Sequence, residues 1–131
     1  MIIISTPPFD ISALGHKYVD RGDPAAFDFT LGNFTTDGGW HDLDLSGIVP
    51  AGTIAVDLRV QVQDELNTAA VNFRKKGNVN TVNVLRCSTH YDDDLLDTFG
   101  FVFCDVNRKI QYASNDLTFT AINFLVRGWL I

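Results

Sequence analysis

The stretch Ile54-Ala55-Val56-Asp57-Leu58-Arg59-Val60-Gln61-Val62-Gln63 decides the fold. Successive side chains of an extended chain point to opposite faces. Ile54, Val56, Leu58, Val60 and Val62 therefore share one face, and Ala55, Asp57, Arg59, Gln61 and Gln63 the other. One face is buried and one meets solvent or a polar partner, as in an antiparallel sheet packed on a core.

The same period of two extends in both directions from this strand. Upstream, Phe27, Phe29 and Leu31 alternate with Asp28 and Thr30, and Leu43 and Leu45 alternate with Asp42 and Asp44. Thr36-Asp37-Gly38-Gly39 separates these two runs as a turn, and Val49-Pro50-Ala51-Gly52 reads as a type I turn with Pro second and Gly last. Downstream, Ala69, Val71 and Phe73 alternate, Lys76-Gly77-Asn78 forms a hairpin tip, and residues 81–87 return. Phe99, Phe101 and Phe103 alternate with Gly100 and Val102, and Ile122, Phe124 and Val126 share a face of the last run. The pattern predicts eight strands, at 27–34, 40–45, 53–63, 69–75, 80–88, 98–104, 109–113 and 117–129. The expected fold class is all-β, a two-sheet antiparallel β-sandwich of jelly-roll type.

Composition agrees. Of 16 acidic residues 15 are Asp, and there are 12 Val, 11 Thr and 10 Phe, so turn formers and strand formers dominate over helix formers. A chain of 131 residues is one domain's worth. It buries roughly two thirds of its unfolded surface and needs neither metal nor disulfide to fold. Residues 1–25 carry Pro7-Pro8 and Pro24 and no sustained period. They read as an extended N-terminal arm preceding a β-sandwich domain at 26–131. The apolar beads of this arm, Ile2, Ile3, Ile4, Phe9, Ile11 and Leu14, need a surface to lie on.

A formal charge of −6 argues against a nucleic-acid partner, because phosphate neutralisation calls for a basic surface. No apolar run approaches the roughly 20 residues of a membrane span, so no membrane is expected as a partner. The start Met1-Ile2-Ile3-Ile4 lacks the basic segment of a secretory signal, which places synthesis in a cytoplasm. Charge is uneven: residues 1–66 hold 3 basic and 10 acidic residues, residues 67–131 hold 7 and 6. Faces of opposite sign can meet in a homo-oligomer, although solvated loops account for the same pattern. Cys87 and Cys104 lie in strand-like stretches and read as two buried free thiols.

Candidate chemistry is sparse. Arg21-Gly22-Asp23 is an adhesive tripeptide in other contexts, but followed by Pro24 it suits an ordinary turn. Asp92, Asp93 and Asp94 are the candidate metal ligands, yet they lack the alternate acidic spacing and glycine of a calcium loop, and a solvated loop is the simpler reading. Asp42 and Asp44 lie on one strand face roughly 7 Å apart, a separation paired carboxylates use in glycoside hydrolysis. Cys87 and His90, three apart on an extended segment, point to opposite faces and make no dyad. His16, His41 and His90 show no zinc spacing. Arg74-Lys75-Lys76 is a small basic cluster without interleaved aromatics. No catalytic residues and no cofactor are expected.

The ends say more. Trp129-Leu130-Ile131 closes the sequence with three large apolar groups, where exposed ends are usually polar. Either the last strand runs inside the sandwich or these residues pack between subunits. With Ile2, Ile3, Ile4 and Phe9 at the other terminus, intersubunit contacts are the favoured expectation. An apolar arm can also add to the open sheet edge of a neighbour.

Several stretches are more specific: Val19-Asp20-Arg21-Gly22-Asp23-Pro24-Ala25-Ala26-Phe27-Asp28-Phe29, residues 35–52, Phe73-Arg74-Lys75-Lys76-Gly77-Asn78 and Val126-Arg127-Gly128-Trp129-Leu130-Ile131. Together they resemble a group of small β-sandwich virion proteins encoded by tailed bacteriophages and prophages. The resemblance spans most of residues 19–131 and implies no catalytic residue. It implies a structural role in the virion after synthesis in the host bacterial cytoplasm. The expected function is that of a capsid decoration (cement) protein, not an enzyme, whose partners are the major capsid protein or another virion protein and further copies of itself. The expected homo-oligomer is a trimer. The alternative is a tail-fibre or tail-tip receptor-binding module recognising a host glycan or protein, using loops such as His90 to Asp97.

Overall fold

The computed structural model describes residues 15–131. Nine strands are formed: β1 (Tyr18–Asp20), β2 (Phe29–Thr30), β3 (His41–Asp44), β4 (Ala55–Gln63), β5 (Ala70–Lys75), β6 (Leu85–Ser88), β7 (Leu96–Phe103), β8 (Lys109–Ser114) and β9 (Ala121–Leu130). Sheet A has the order β1-β9-β4-β7, with β2 also paired to β9, and sheet B the order β3-β8-β5-β6. All pairings are antiparallel. They are nested, β5 on β6, β4 on β7, β3 on β8 and β2 on β9, which is the pairing of a jelly roll. The expected β-sandwich is thus the observed fold, with the short β1 added to the eight strands.

The core lies between the sheets. Val56, Leu58, Val60 and Val62 of β4 are fully buried and stand opposite Trp129, Val126, Phe124 and Ile122 of β9. From sheet B, Phe73, Tyr112 and Ile110 close the layer. Phe34 packs edge-on against Tyr112 with ring centroids 4.9 Å apart, and Phe73 lies 5.4 Å from Phe124. The phenol oxygen of Tyr112 has a place in this apolar layer because it accepts the Thr35 backbone N–H at 2.8 Å. Cys87 and Cys104 are buried and unpaired, as expected.

Some boundaries differ from the expectation. The run at 27–34 keeps only Phe29-Thr30 as strand, because Leu31–Asn33 coils into a 3-10 turn that Thr30 and Asn33 cap reciprocally. The run at 80–88 is strand only from Leu85, and residues 76–84 are loop. The turn expected at 49–52 falls one residue later. Pro50 accepts the Thr53 N–H at 3.3 Å, and Gly52 occupies the third position with φ of +93°.

Part of the segment read as an arm belongs to the sheet. Tyr18–Asp20 pairs with Gly128–Leu130, and Lys17 exchanges both backbone bonds with Ile131 at 2.7 and 2.9 Å. Between β1 and β2 the β9 edge is closed by side chains. The guanidinium of Arg21 donates to Asp28 and, at 2.9 Å, to the Val126 carbonyl, while Asp28 accepts the Val126 N–H at 2.8 Å. β9 carries a bulge here, with Arg127 as the extra residue between the pairs Asp57–Gly128 and Leu58–Val126. One ion pair therefore satisfies the backbone groups that neither short strand reaches.

Candidate interaction surface

The outward faces of the two sheets carry different chemistry. On sheet B, Asp42 and Asp44 of β3 lie beside Gln111 and Lys109 of β8, and Gln111 lies beside Arg74 of β5. Lys76 donates to Asp42 at 2.5 Å and the Gln111 amide to Asp42 at 3.2 Å. Arg74 donates to Gln111 and to the Asn80 carbonyl, and its guanidinium stacks 3.8 Å from the Trp40 ring. Most of this face is paired within the chain, the Asn72 side-chain oxygen being buried there without a partner. The hydrogen bonds from Lys76 and Gln111 hold the Asp42 carboxyl below the usual aspartate range, and backbone and side-chain bonds from Ser46 do the same for Asp44. Neither carboxyl is thereby prepared as a proton donor, the state one partner of a glycosidase pair requires.

On sheet A the outward residues of β7 are Asp97, which accepts from Arg59 at 3.0 Å, and Phe99, Phe101 and Phe103, each just over half exposed. Their alternates turn inward: Val102 joins the core, and Gly100 gives its space to Leu85, whose Cδ1 would lie 2.6 Å from a Cβ there. Tyr18 lies across Gly128, donates to Asp57 at 3.0 Å and meets Phe101 edge-on at 6.2 Å. The Arg127 guanidinium sits 5.0 Å from the Phe99 ring. The result is an aromatic strip along the outer edge of sheet A. Beside its C-terminal half is a shallow cleft bordered by Asn78, Asn83 and Leu85 on one side and Phe101 to Phe103 on the other.

The residues singled out from the sequence are scattered. Ile2, Ile3, Ile4 and Phe9 lie outside the described residues. Trp129 packs against the core, Leu130 pairs with Tyr18 and Ala55, and Ile131 bonds Lys17. The three are half-buried by their own sheet, although the Trp129 indole N–H is buried without an acceptor. Asp92, Asp93 and Asp94 are exposed on the β6–β7 loop. Asp93 has a φ of +62°, and its backbone is tied to Asp64 and Gln63. Among the described residues no group of three or more His, Cys, Asp or Glu side chains could hold a metal ion. Arg21 of the Arg-Gly-Asp tripeptide is held by Asp28. Of the basic cluster, Arg74 is buried and Lys76 is paired. Cys87 is buried and its thiol is pushed up to about 12 by burial, while His90 is exposed, so no dyad forms.

Two features escaped sequence reading. Asp64 is 2% exposed with one carboxylate oxygen unpartnered, and burial together with neighbouring Asp116 pushes its carboxyl up. Its Glu65 neighbour follows a strand end, and nothing local marks it as buried. The outward phenylalanines had a signal, since Gly100 between two of them leaves the opposite face little to bury. No known protein family matches this chain, and no curated protein is similar to it in sequence.

Proposed function

We propose that the protein is a structural component of a bacteriophage virion, a capsid decoration protein that reinforces the head by sharing buried surface with capsid subunits and with further copies of itself. One observation carries the reading: a sandwich that pairs most of the polar groups on the face of sheet B internally presents an aromatic strip on sheet A. A contiguous exposed apolar patch is the usual mark of a protein contact. The phage-like phrasing of residues 19–52 and 126–131 supports the virion setting. Shared burial stabilises the assembly by mass action, since the contact exists only in the folded, bound form.

The test is co-sedimentation of the chain with empty heads assembled from the capsid protein of the same genome. Saturable, stoichiometric binding with a raised head-disruption temperature is the expected result. Adherence to host cells without head binding overturns the decoration role in favour of receptor recognition. The arm variant for this experiment removes residues 1–14 and spares Lys17 and Tyr18, which are built into sheet A.

A further inference from the structure

We propose that two copies of this chain pair through their β7 edges, antiparallel across a two-fold axis at Phe101, joining two A sheets into one continuous sheet. This contact deepens the proposed function, resting on its claim of self-association and not on its claim of capsid binding.

Among the described residues sheet A ends at β7, so every second residue of this strand aims its backbone N–H and C=O away from β4. Edge strands are normally blunted by brevity, charge, proline or a bulge. The other edges follow that rule: β1 and β2 have three and two residues, β3 is His-Asp-Leu-Asp, and β6 has four residues including Arg86. β7 has eight residues, Leu-Asp-Thr-Phe-Gly-Phe-Val-Phe, with no lysine and no proline; its single charge, Asp97, lies near one end and is paired with Arg59 of the same sheet, and its register with β4 is unbroken.

The spacing identifies the partner. Phe99 and Phe103 are equidistant from Phe101 and share its face. A two-fold axis normal to the sheet therefore places Phe101 opposite Phe101, and Phe99 opposite Phe103 of the second copy. These are three cross-strand aromatic pairs from one self-complementary strand.

Area is consistent with the contact. Phe99, Phe101 and Phe103, each about half exposed, leave roughly 225–375 Å² of apolar surface, whereas a standard interface buries about 800 Å² per partner. The strip supplies less than half of that. The remainder falls on the β7 backbone and on the adjoining 76–84 loop, where Val79 and Val82 are 83% and 93% exposed.

The experiment is sedimentation velocity on the full chain, with cysteine cross-linking to read the register. Wild type is expected at twice the monomer mass, and Phe101→Lys at the monomer mass with an unchanged far-ultraviolet circular dichroism spectrum. Phe101→Cys is expected to form a covalent dimer on mild oxidation. Phe99→Cys should do so only when mixed with Phe103→Cys, the buried Cys87 and Cys104 staying out of the exchange. A wild-type monomer at every soluble concentration overturns the contact. So does a dimer that survives Phe101→Lys, a dimer lost on removing residues 1–14, or a trimer lost on Trp129→Ala. Head binding is scored separately. A monomer that binds heads overturns this contact and keeps the decoration role, and a dimer that ignores them does the reverse.

Discussion

The outer faces of the two sheets answer the same problem differently. Each is one side of a strand layer whose other side is core, and each must meet its surroundings. Sheet B meets water: Asp42, Gln111, Arg74 and Trp40 form a chain of contacts that leaves few groups wanting a partner. Sheet A carries Phe99, Phe101 and Phe103, which water solvates poorly and which Tyr18 and Arg127 partly cover. A fold can therefore assign solubility to one layer and association to the other without altering the core between them.

The largest effect expected from breaking this division comes at the seam of sheet A. Asp28→Ala removes a side chain only 7% exposed and leaves Arg21 and the Val126 N–H without their partner. The loss is about 3 kcal/mol, read as a drop in the chemical-denaturation midpoint. Arg74→Ala on sheet B comes next, at about 2 kcal/mol, because stacking on Trp40 and two hydrogen bonds go together. It should leave the mass in solution unchanged.

Smaller effects sharpen the comparison. A carboxyl whose folded value is raised binds more protons in the native than in the unfolded state. For Asp64, stability therefore falls as pH rises from the ordinary aspartate value through the raised one, and the deficit is fully present above it. Asp64→Asn keeps the acceptor for the Glu65 N–H. It is expected to raise the melting temperature at neutral pH and to flatten the profile in that window. Phe99→Ser on the outer strip should change unfolding free energy by about 0.5 kcal/mol or less while weakening self-association, the opposite of the Arg74 variant. Smallest is Lys76→Met. Asp42, held below its ordinary value chiefly by Lys76, should titrate closer to that value by NMR. Its contribution, present at neutral pH and lost as pH falls through the lowered value, should shrink accordingly.

The alternation of residues 54–63 was enough to place β4, and with its neighbours it gave the class of the fold. Periodicity reports that a segment is extended but not which strand lies beside it, so the nesting of β2 on β9 across the whole domain was implied only by the jelly-roll expectation. The alternation through Phe27, Phe29 and Leu31 also conceals where the backbone turns. The local signal was Thr30-Leu31-Gly32-Asn33, whose capping bonds compete with the ladder. Tyr18–Asp20 was missed because three residues carry no period at all. The strip itself was legible as a pattern and ambiguous as a face. Phe99, Phe101 and Phe103 would ordinarily point inward, and it is Leu85, arriving from the other sheet, that fills the space Gly100 leaves.

The bulge-bearing β9 has a further consequence, in time. It is the central partner of sheet A, pairing β4 along its whole length and β1 and β2 on its other side. It is also the last of the described strands to leave the ribosome. Until residues 121–130 emerge, Val56, Leu58, Val60 and Val62 lack one of their two neighbouring strands, and β1 and β2 have nothing to join. Early in synthesis the chain can close β5 on β6 and then β4 on β7, but each wider nesting spans more intervening chain and closes later. The nascent protein thus passes through a stage in which the strand with five fully buried apolar residues, Ala55, Val56, Leu58, Val60 and Val62, is half-paired. Expression should respond strongly to chaperones that hold such intermediates, and to temperature, even where the finished fold is stable.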